Sequence, residues 1–119
     1  MKKLRIKDLD DINTGHILKN IMPGNFIYRG GLSFSKPGQR SHTNDGPDGI
    51  DYHIHDDHEA FIIIQGTGQM EVNKNIFDVF PGDIIIIDPG EDHHLISSSD
   101  SPIVTVYCHA GPEKKSKWP

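Results

Sequence analysis

Three histidines and four acidic residues stand within residues 51–59, directly before the apolar run 61–64. A solvated loop can carry this many titratable groups, but the abrupt change to apolar residues indicates that the cluster lies on a buried strand. Burial of imidazole and carboxylate groups without partners is costly. We therefore expect a bound metal ion, rather than a metal-free polar interior or a polar surface strand, to compensate for the burial.

The spacing of these side chains suits a metal site. Side chains alternate between the two faces of a strand, so His53, His55 and Glu59 would share one face of an unbroken strand. Two imidazoles two residues apart, with a carboxylate further along, can converge on one ion. A fourth ligand must come from elsewhere, and His93 and His94 are the candidates. Because adjacent strand residues point to opposite faces, only one of these two can take part.

The elements around these residues are predicted to be β-strands. Twelve Gly and eight Pro residues punctuate short stretches rich in Ile, Val, Phe and Tyr, a pattern typical of an all-β sandwich or barrel. We predict strands over residues 26–36, 51–55, 60–65, 69–72, 76–79, 83–87, 93–98 and 103–109, with a tight hairpin at 73–75. Only residues 6–18 have a loosely helical spacing of apolar residues.

The apolar stretch 84–87 does not alternate with polar residues, so both of its faces should be buried. One face can point into the barrel, and the other needs a second sheet or a second subunit. We therefore expect a homodimer.

A chain of 119 residues is long enough for one domain. We assign residues 26–109 to the barrel, residues 1–25 to an extension that packs on the barrel or on a partner subunit, and residues 110–119 to a surface tail that includes Trp118. The turn-rich residues 35–49 are expected to form a lid or binding loop.

Charge and hydropathy exclude several classes of partner. The chain has 12 basic and 17 acidic residues, with no basic stripe, so we expect no nucleic-acid partner. Its apolar runs are too short to span a membrane, and acids follow the positive N-terminus where a signal peptide needs an apolar stretch. We predict a cytoplasmic protein. With Cys108 as the single cysteine, a metal must be held by histidine and carboxylate.

Two motifs resemble those of the cupin superfamily. The first cupin motif is similar to His53, His55, Glu59 and Gly66 in both residue types and spacing, although Pro47 stands at the position of its leading glycine. The second is similar to Gly82, Pro89, Gly90 and His93, with Asp88 in place of the usual proline and Ser97 in place of the final asparagine. By position, the second motif selects His93 over His94.

The resemblance implies a cupin-type double-stranded β-helix, or jelly-roll barrel, and frequently a dimer. It also implies one divalent transition metal (Fe, Mn, Ni, Zn, Co or Cu) held by His53, His55, Glu59 and His93. The identity of the ion is left open, because mixed imidazole and carboxylate sites accept all of these metals.

The remaining polar residues divide into possible substrate contacts and structural groups. The candidate substrate-binding residues are Arg40, His42, Tyr107 and His109, with Arg29 and Gln39 as further possibilities. We expect His58 and His94 to be surface residues or supports for the ligands, and Asp56, Asp57, Glu91 and Asp92 to be solvated turn residues. Cys108 is expected to be a small buried apolar residue.

A site of this kind leaves positions on the metal open and carries a net positive charge, which suits a small anionic ligand. We favour a metal-dependent enzyme acting on a small polar or anionic organic molecule, of the oxygenase, isomerase, lyase or decarboxylase class. The alternative is a non-catalytic module that binds a small ligand or sugar. The sequence offers no acid or base as firm as the four ligands, so the substrate and the reaction stay open.

Overall fold

β-Strands account for most of the described residues. The computed structural model describes residues 1–8 and 26–111. Its strands are β1 (Lys2–Arg5), β2 (Phe26–Ser35), β3 (His58–Gln65), β4 (Gly68–Val72), β5 (Asn75–Val79), β6 (Asp83–Ile87), β7 (His93–Ser97) and β8 (Ile103–Gly111). Ile6–Asp8 and Pro47–Gly49 form short 3-10 helices. The all-β prediction is confirmed. Most of the predicted helical stretch 6–18 and of the tail 110–119 lies outside the described residues.

The strands form two antiparallel sheets. One has five strands in the order β1-β6-β3-β8-β2, and the other has three in the order β5-β4-β7. The chain moves from one sheet to the other between β3 and β4, and again at each of the connections that join β5, β6, β7 and β8. Residues distant in sequence are thereby brought to the space between the sheets. Within the described ranges, no helix has the length and apolar character needed to cross a bilayer.

β6 is the most deeply buried strand, and all five of its residues are shielded from solvent. Ile85 and Ile87 belong to the main core cluster, together with side chains from both sheets. Ile84 and Ile86 lie on the opposite face, where they are only 2% and 1% exposed and pack with Ala60, Ile62, Leu4 and Cys108. The single chain therefore already buries both faces of β6. This strand does not by itself require a second subunit, and the homodimer stays a prediction.

Two regions differ from the sequence-based expectation. Lys2–Arg5 pairs with β6 as an edge strand, although three of its four residues are basic; an edge strand with exposed side chains tolerates such residues. Residues 51–55, predicted as a strand, form a bend at Asp51 followed by residues without regular secondary structure, and they join neither sheet. Instead, the backbone amides of His93 and Gly90 donate to the carbonyl oxygens of His53 and His55.

The predicted hairpin at residues 73–75 is confirmed and is one residue tighter. Val72 pairs with Asn75, so Asn73 and Lys74 form a two-residue turn. Their φ angles are 47° and 70°, as a type I′ turn requires. Asn73 tolerates this left-handed conformation, and its side chain also accepts a hydrogen bond from the amide of Asp92.

Gly66 ends β3 with a φ of 85°, and a Cβ atom there would overlap the carbonyl oxygen of Pro102. Gly82, which precedes β6, has a similar φ of 91° but no atom within 4 Å of its ideal Cβ position. Alanine substitutions at Gly66 and Gly82 therefore separate the free-energy cost of the backbone conformation from that of a steric overlap.

We expect Gly66→Ala to lower the free energy of unfolding by about 2–5 kcal/mol, since strain and overlap both act. Gly82→Ala should cost about 1–2 kcal/mol, because only the left-handed strain applies. Urea denaturation of the two variants measures the difference. Equal losses would contradict the close approach of residue 66 to Pro102.

Candidate functional site

The four residues predicted as metal ligands are brought together between the two sheets. His53 and His55 lie on the segment before β3, Glu59 is the second residue of β3, and His93 begins β7. One ligand atom from each lies within 4.8 Å of the others. The cluster therefore joins a strand of the five-stranded sheet to a strand of the three-stranded sheet.

The adjacent histidines of β7 point in opposite directions, as strand alternation requires. His93 Nε2 lies 3.1 Å from Glu59 Oε1, within the cluster. His94 is turned away, and its Nδ1 lies 3.0 Å from the carbonyl oxygen of Ser41.

Each clustered histidine has its Nδ1 atom held by an oxygen outside the cluster. His53 Nδ1 lies 2.9 Å from Asp45 Oδ2, and His55 Nδ1 lies 2.6 Å from Asp57 Oδ1. His93 Nδ1 lies 2.9 Å from the carbonyl oxygen of Glu91. Such contacts fix the ring orientation and leave Nε2 to face the centre, the usual arrangement around metal-binding histidines.

Glu59 is the central acceptor of the cluster. Its Oε1 lies 3.1 Å from Nε2 of both His55 and His93, and its Oε2 lies 2.9 Å from Nε2 of His109. Burial acts to raise the pKa of this carboxyl group, but hydrogen bonds from the three imidazoles outweigh it and hold the pKa well below its ordinary value. Glu59 is therefore a carboxylate, the form that binds cations.

The pKa values of His53 and His55 are shifted in opposite directions. Burial lowers the pKa of His53 to about 4, and the nearby His42 and His93 act in the same direction. Burial also acts to lower the pKa of His55, but its contacts with Glu59 and Asp57 raise it above the ordinary value. At neutral pH, His53 is thus a neutral ring with a free lone pair.

His109, a candidate substrate contact from the sequence, also touches the cluster. It lies on β8 directly opposite Glu59, with Nδ1 3.1 Å from Asp57 Oδ1 and Nε2 2.9 Å from Glu59 Oε2. The hydrogen bond with Glu59 raises the pKa of His109, and Asp57 adds to this against the effect of burial. The alternation of side chains on β8 made His109 a candidate from the sequence alone. Its contact with Glu59 could not be predicted in this way, because it depends on the register between β3 and β8.

A cavity of about 650 Å³ opens beside the cluster, within the size range of small-molecule sites. It reaches His53, His55 and Glu59, whereas His93 lies behind them and is 2% exposed. Of the predicted substrate contacts, the structure places His42, Tyr107 and His109 on the cavity wall, together with Arg29.

Arg40 lies away from this wall and is held by carboxylates. Its guanidinium forms ion pairs with Asp51, at 2.9 Å, and with Glu71. The hydrogen bond with Glu71 raises the pKa of Arg40, with a further contribution from Asp51. Arg40 therefore ties the loop that precedes the cluster to β4, and its predicted role as a substrate contact has no support in the geometry.

The expectation that Asp57 and Asp92 are solvated turn residues is wrong, since both are buried. Asp92 Oδ1 accepts a hydrogen bond from the backbone amide of His53 at 2.7 Å and lies 2.9 Å from Nε2 of His94. Backbone amides and imidazoles thus compensate for the burial of these carboxylates. His94 itself is fully buried, so it supports the segment that carries His53 and is not a surface residue.

The turn-rich loop over residues 35–49 reaches the cluster through His42 and Asp45. The rings of His42 and His53 are stacked, with centroids 3.8 Å apart and planes inclined by 5°. Asp45 Oδ2 lies 2.7 Å from His42 Nδ1 and 2.9 Å from His53 Nδ1. His42 has a φ of 54°, a conformation that non-glycine residues rarely adopt. The loop is therefore held against one of the four clustered side chains by a stacked ring and a shared carboxylate.

The raised pKa of His109 implies a stabilisation that depends on pH. It is fully present below the unfolded pKa of about 6.5 and is lost as the pH rises through the folded pKa. For metal-free protein, we expect His109→Gln to lower the free energy of unfolding by about 1–3 kcal/mol at pH 6 and by less at pH 9. Denaturant unfolding at both pH values checks this. His58→Gln, outside the cluster, is the control, and a His109→Gln loss that is equal at both pH values would contradict the pairing.

Comparison with known proteins agrees with this fold. The sequence matches the cupin domain family over residues 37–109, and no curated protein matches it. Among solved structures, the plu4264 protein of Photorhabdus luminescens is 26% identical, with a TM-score of 0.57 over 68% of this chain and 60% of that one. A cupin protein of Bacteroides fragilis is 20% identical, with a TM-score of 0.57 over 76% and 68% of the two chains.

A third similar structure is a cupin 2 conserved barrel domain protein from Rhodopseudomonas palustris. It is 20% identical, with a TM-score of 0.56 over 74% of this chain and 55% of that one. This chain therefore spans between about half and two thirds of the length of these three proteins, whose shared feature is the barrel. With both sheets in place and a family match that includes all four clustered residues, the chain belongs to the cupin family and has its jelly-roll fold.

Proposed function

We propose that this cupin binds one divalent transition-metal ion through His53, His55, Glu59 and His93 and acts as an enzyme on a small polar or anionic organic molecule. The observation that carries the proposal is the convergence of the four ligand atoms within 4.8 Å, next to a cavity of about 650 Å³. Oxygenase, isomerase, lyase and decarboxylase chemistry are all compatible with such a site.

The donor set fits a cation of this kind. Glu59 Oε1 faces the Nε2 atoms of His55 and His93 at 3.1 Å, so a hydrogen-bonding proton lies between the carboxylate and each ring. A divalent ion would replace these protons while the Nδ1 contacts stay in place. Three neutral imidazoles and one carboxylate around a dication give a net charge of +1, which favours an anionic ligand.

A bound ion supplies Lewis acidity toward an oxygen of the organic molecule, and iron would add redox chemistry. The side chains of the cavity supply the surroundings of the organic molecule. Phe61 and Tyr107 line the cavity beside the charged residues and limit access of water to that part of it.

The pair formed by Asp57 and His109 favours an enzyme over a non-catalytic ligand or sugar sensor. An enzyme of these classes needs a group that can hold or move a proton within reach of the ligand. His109 lines the cavity and lies between Asp57 and Glu59, so a proton on either ring nitrogen has a carboxylate partner. A sensor would need the metal and the cavity but not this pair.

We expect His53→Ala and His93→Ala to lose bound metal but to keep the barrel, since each removes one ligand and no core side chain. Elemental analysis of the purified proteins checks this, with circular dichroism to follow the fold. His58→Ala is the matched control and should keep the metal content of the wild type. Stoichiometric metal in both ligand variants would rule out the assignment.

Asp45→Asn should weaken metal binding by about 10- to 100-fold, because Asp45 orients His53 through Nδ1. Competition with a chelator of known affinity measures the change. Asp48→Asn, in the same loop and exposed, is the control. An unchanged affinity in Asp45→Asn would show that this contact does not orient the ligand.

Once the native metal is identified, a dioxygen-uptake screen with that metal restored separates the reaction classes. Iron with uptake in the presence of small organic acids would support an oxygenase. Zinc or nickel without uptake would leave an isomerase, a lyase or a decarboxylase, to be followed by product analysis. Absence of turnover with a retained metal and bound ligand would favour the sensor.

A further inference from the structure

The register of three strands arranges the cavity wall in two rows. Residues directly opposite each other on paired strands point to the same face of the sheet. In one row, Arg29 on β2 pairs with His109 on β8, which pairs with Glu59 on β3. The cavity wall therefore places a basic side chain in line with the Glu59 carboxylate.

The second row is aromatic. Gly31 pairs with Tyr107, and Tyr107 pairs with Phe61. A Cβ atom at Gly31 would lie 3.2 Å from the Tyr107 hydroxyl oxygen and 3.4 Å from its ring carbon Cε1. The absence of a side chain at residue 31 thus allows the Tyr107 ring to lie against β2. A charged row and an aromatic row run side by side along the cavity wall.

Arg29 is unlike the other two arginines of the chain. Arg5 pairs with Asp83, and Arg40 pairs with Asp51 and Glu71. Within residues 1–8 and 26–111, the Arg29 guanidinium has no hydrogen bond or ion pair, and it faces the cavity. A guanidinium presents several donors in a plane and prefers carboxylate or phosphate oxygens. No described residue occupies these donors, so they can bind a ligand.

The distance between Arg29 and the ligand cluster limits the size of this ligand. Adjacent strands are about 4.8 Å apart, and Arg29 lies two strands from Glu59, so their backbones are roughly 10 Å apart. The arginine side chain spans part of this distance. An anionic group bound to Arg29 and a second group at the metal ligands must therefore belong to a molecule of only a few carbon atoms.

The charges around Arg29 favour a carboxylate over a phosphate. Among the residues that the structure describes, the cavity wall has no lysine and no second arginine, and it includes Asp56 and Asp57. A phosphate group carries nearly two negative charges near neutral pH and would face these acids with one guanidinium as its permanent positive partner. One carboxylate matches one guanidinium in charge and shape.

We infer that the ligand is a small organic acid whose carboxylate binds Arg29, whose carbon skeleton lies against Tyr107 and Phe61, and whose second oxygen-bearing group reaches the metal ligands. This inference rests on the proposed function for the role of the second group. Arg29 is thereby the residue that selects an acid over a neutral molecule of the same shape.

Binding of hydroxy acids from 3-hydroxypropanoate to 6-hydroxyhexanoate, each compared with its neutral amide, tests this inference. Full-length protein loaded with Co²⁺ and metal-free protein are both titrated by calorimetry. In the wild type, we expect at least one of these acids to bind about tenfold or more tightly than its amide. The ratio should fall toward one in Arg29→Gln and be partly restored in Arg29→Lys. Lys36→Gln, at an exposed lysine outside the cavity wall, removes the same charge and should keep the wild-type ratio.

The outcomes separate the two proposals. Co²⁺ binding with a ratio that does not change in Arg29→Gln, or no binding of any hydroxy acid, would overturn the role of Arg29 and leave the metal site intact. A ratio that depends on Arg29 in metal-free protein, with no uptake of Co²⁺, would support the carboxylate site and overturn the metal-dependent function. Dependence on both Arg29 and Co²⁺ supports both.

Discussion

A buried carboxylate shared by three imidazoles is the interaction on which the rest of this barrel depends. Glu59 is 6% exposed, and it is tolerated there because His55, His93 and His109 surround it at 2.9–3.1 Å. Such a group needs its partners in fixed positions, since losing one would leave a charge in an apolar interior. Strands β7 and β8 supply His93 and His109, and the segment before β3 supplies His55. The packing of the two sheets therefore fixes the geometry of the charged cluster.

Further carboxylates on loops hold the histidines from outside. Asp45 and Asp57 hold ring nitrogens of His53 and His55, and Asp92 holds the backbone amide of His53. The segment that carries His53 and His55 belongs to neither sheet, so these contacts replace the hydrogen-bond ladder that a strand would provide. The loop carboxylates thus give an irregular segment the fixed geometry that ligand side chains require.

Much of the cluster could be predicted from the sequence, because three of its four residues lie close together in the chain and their spacing limits how they can be arranged. The alternation of His93 and His94 follows from strand geometry and agrees with the structure. His53, His55 and Glu59 converge as their spacing predicted, although residues 51–55 join neither sheet. The buried state of Asp57 and Asp92 could not be predicted, since a sequence records a charge but not which amide or imidazole will compensate for it. The positions of Arg29 and Arg40 could not be predicted either, because that of Arg29 depends on the register of β2 and that of Arg40 depends on the path of its loop. Arg40 forms ion pairs with Asp51 and Glu71, whereas no ion pair of Arg29 is found among the described residues.

The contact between Asp92 and His94 links the far side of β7 to the cluster. One oxygen of Asp92 meets both the His94 ring and the amide of His53, while the other ring nitrogen of His94 meets the carbonyl oxygen of Ser41. His94 never faces the cavity, yet a change of its shape would move the backbone from which His53 projects. Natural or engineered variation at residue 94 would therefore change the position of the His53 ring at the cavity, and a survey restricted to cavity-lining residues would miss its cause.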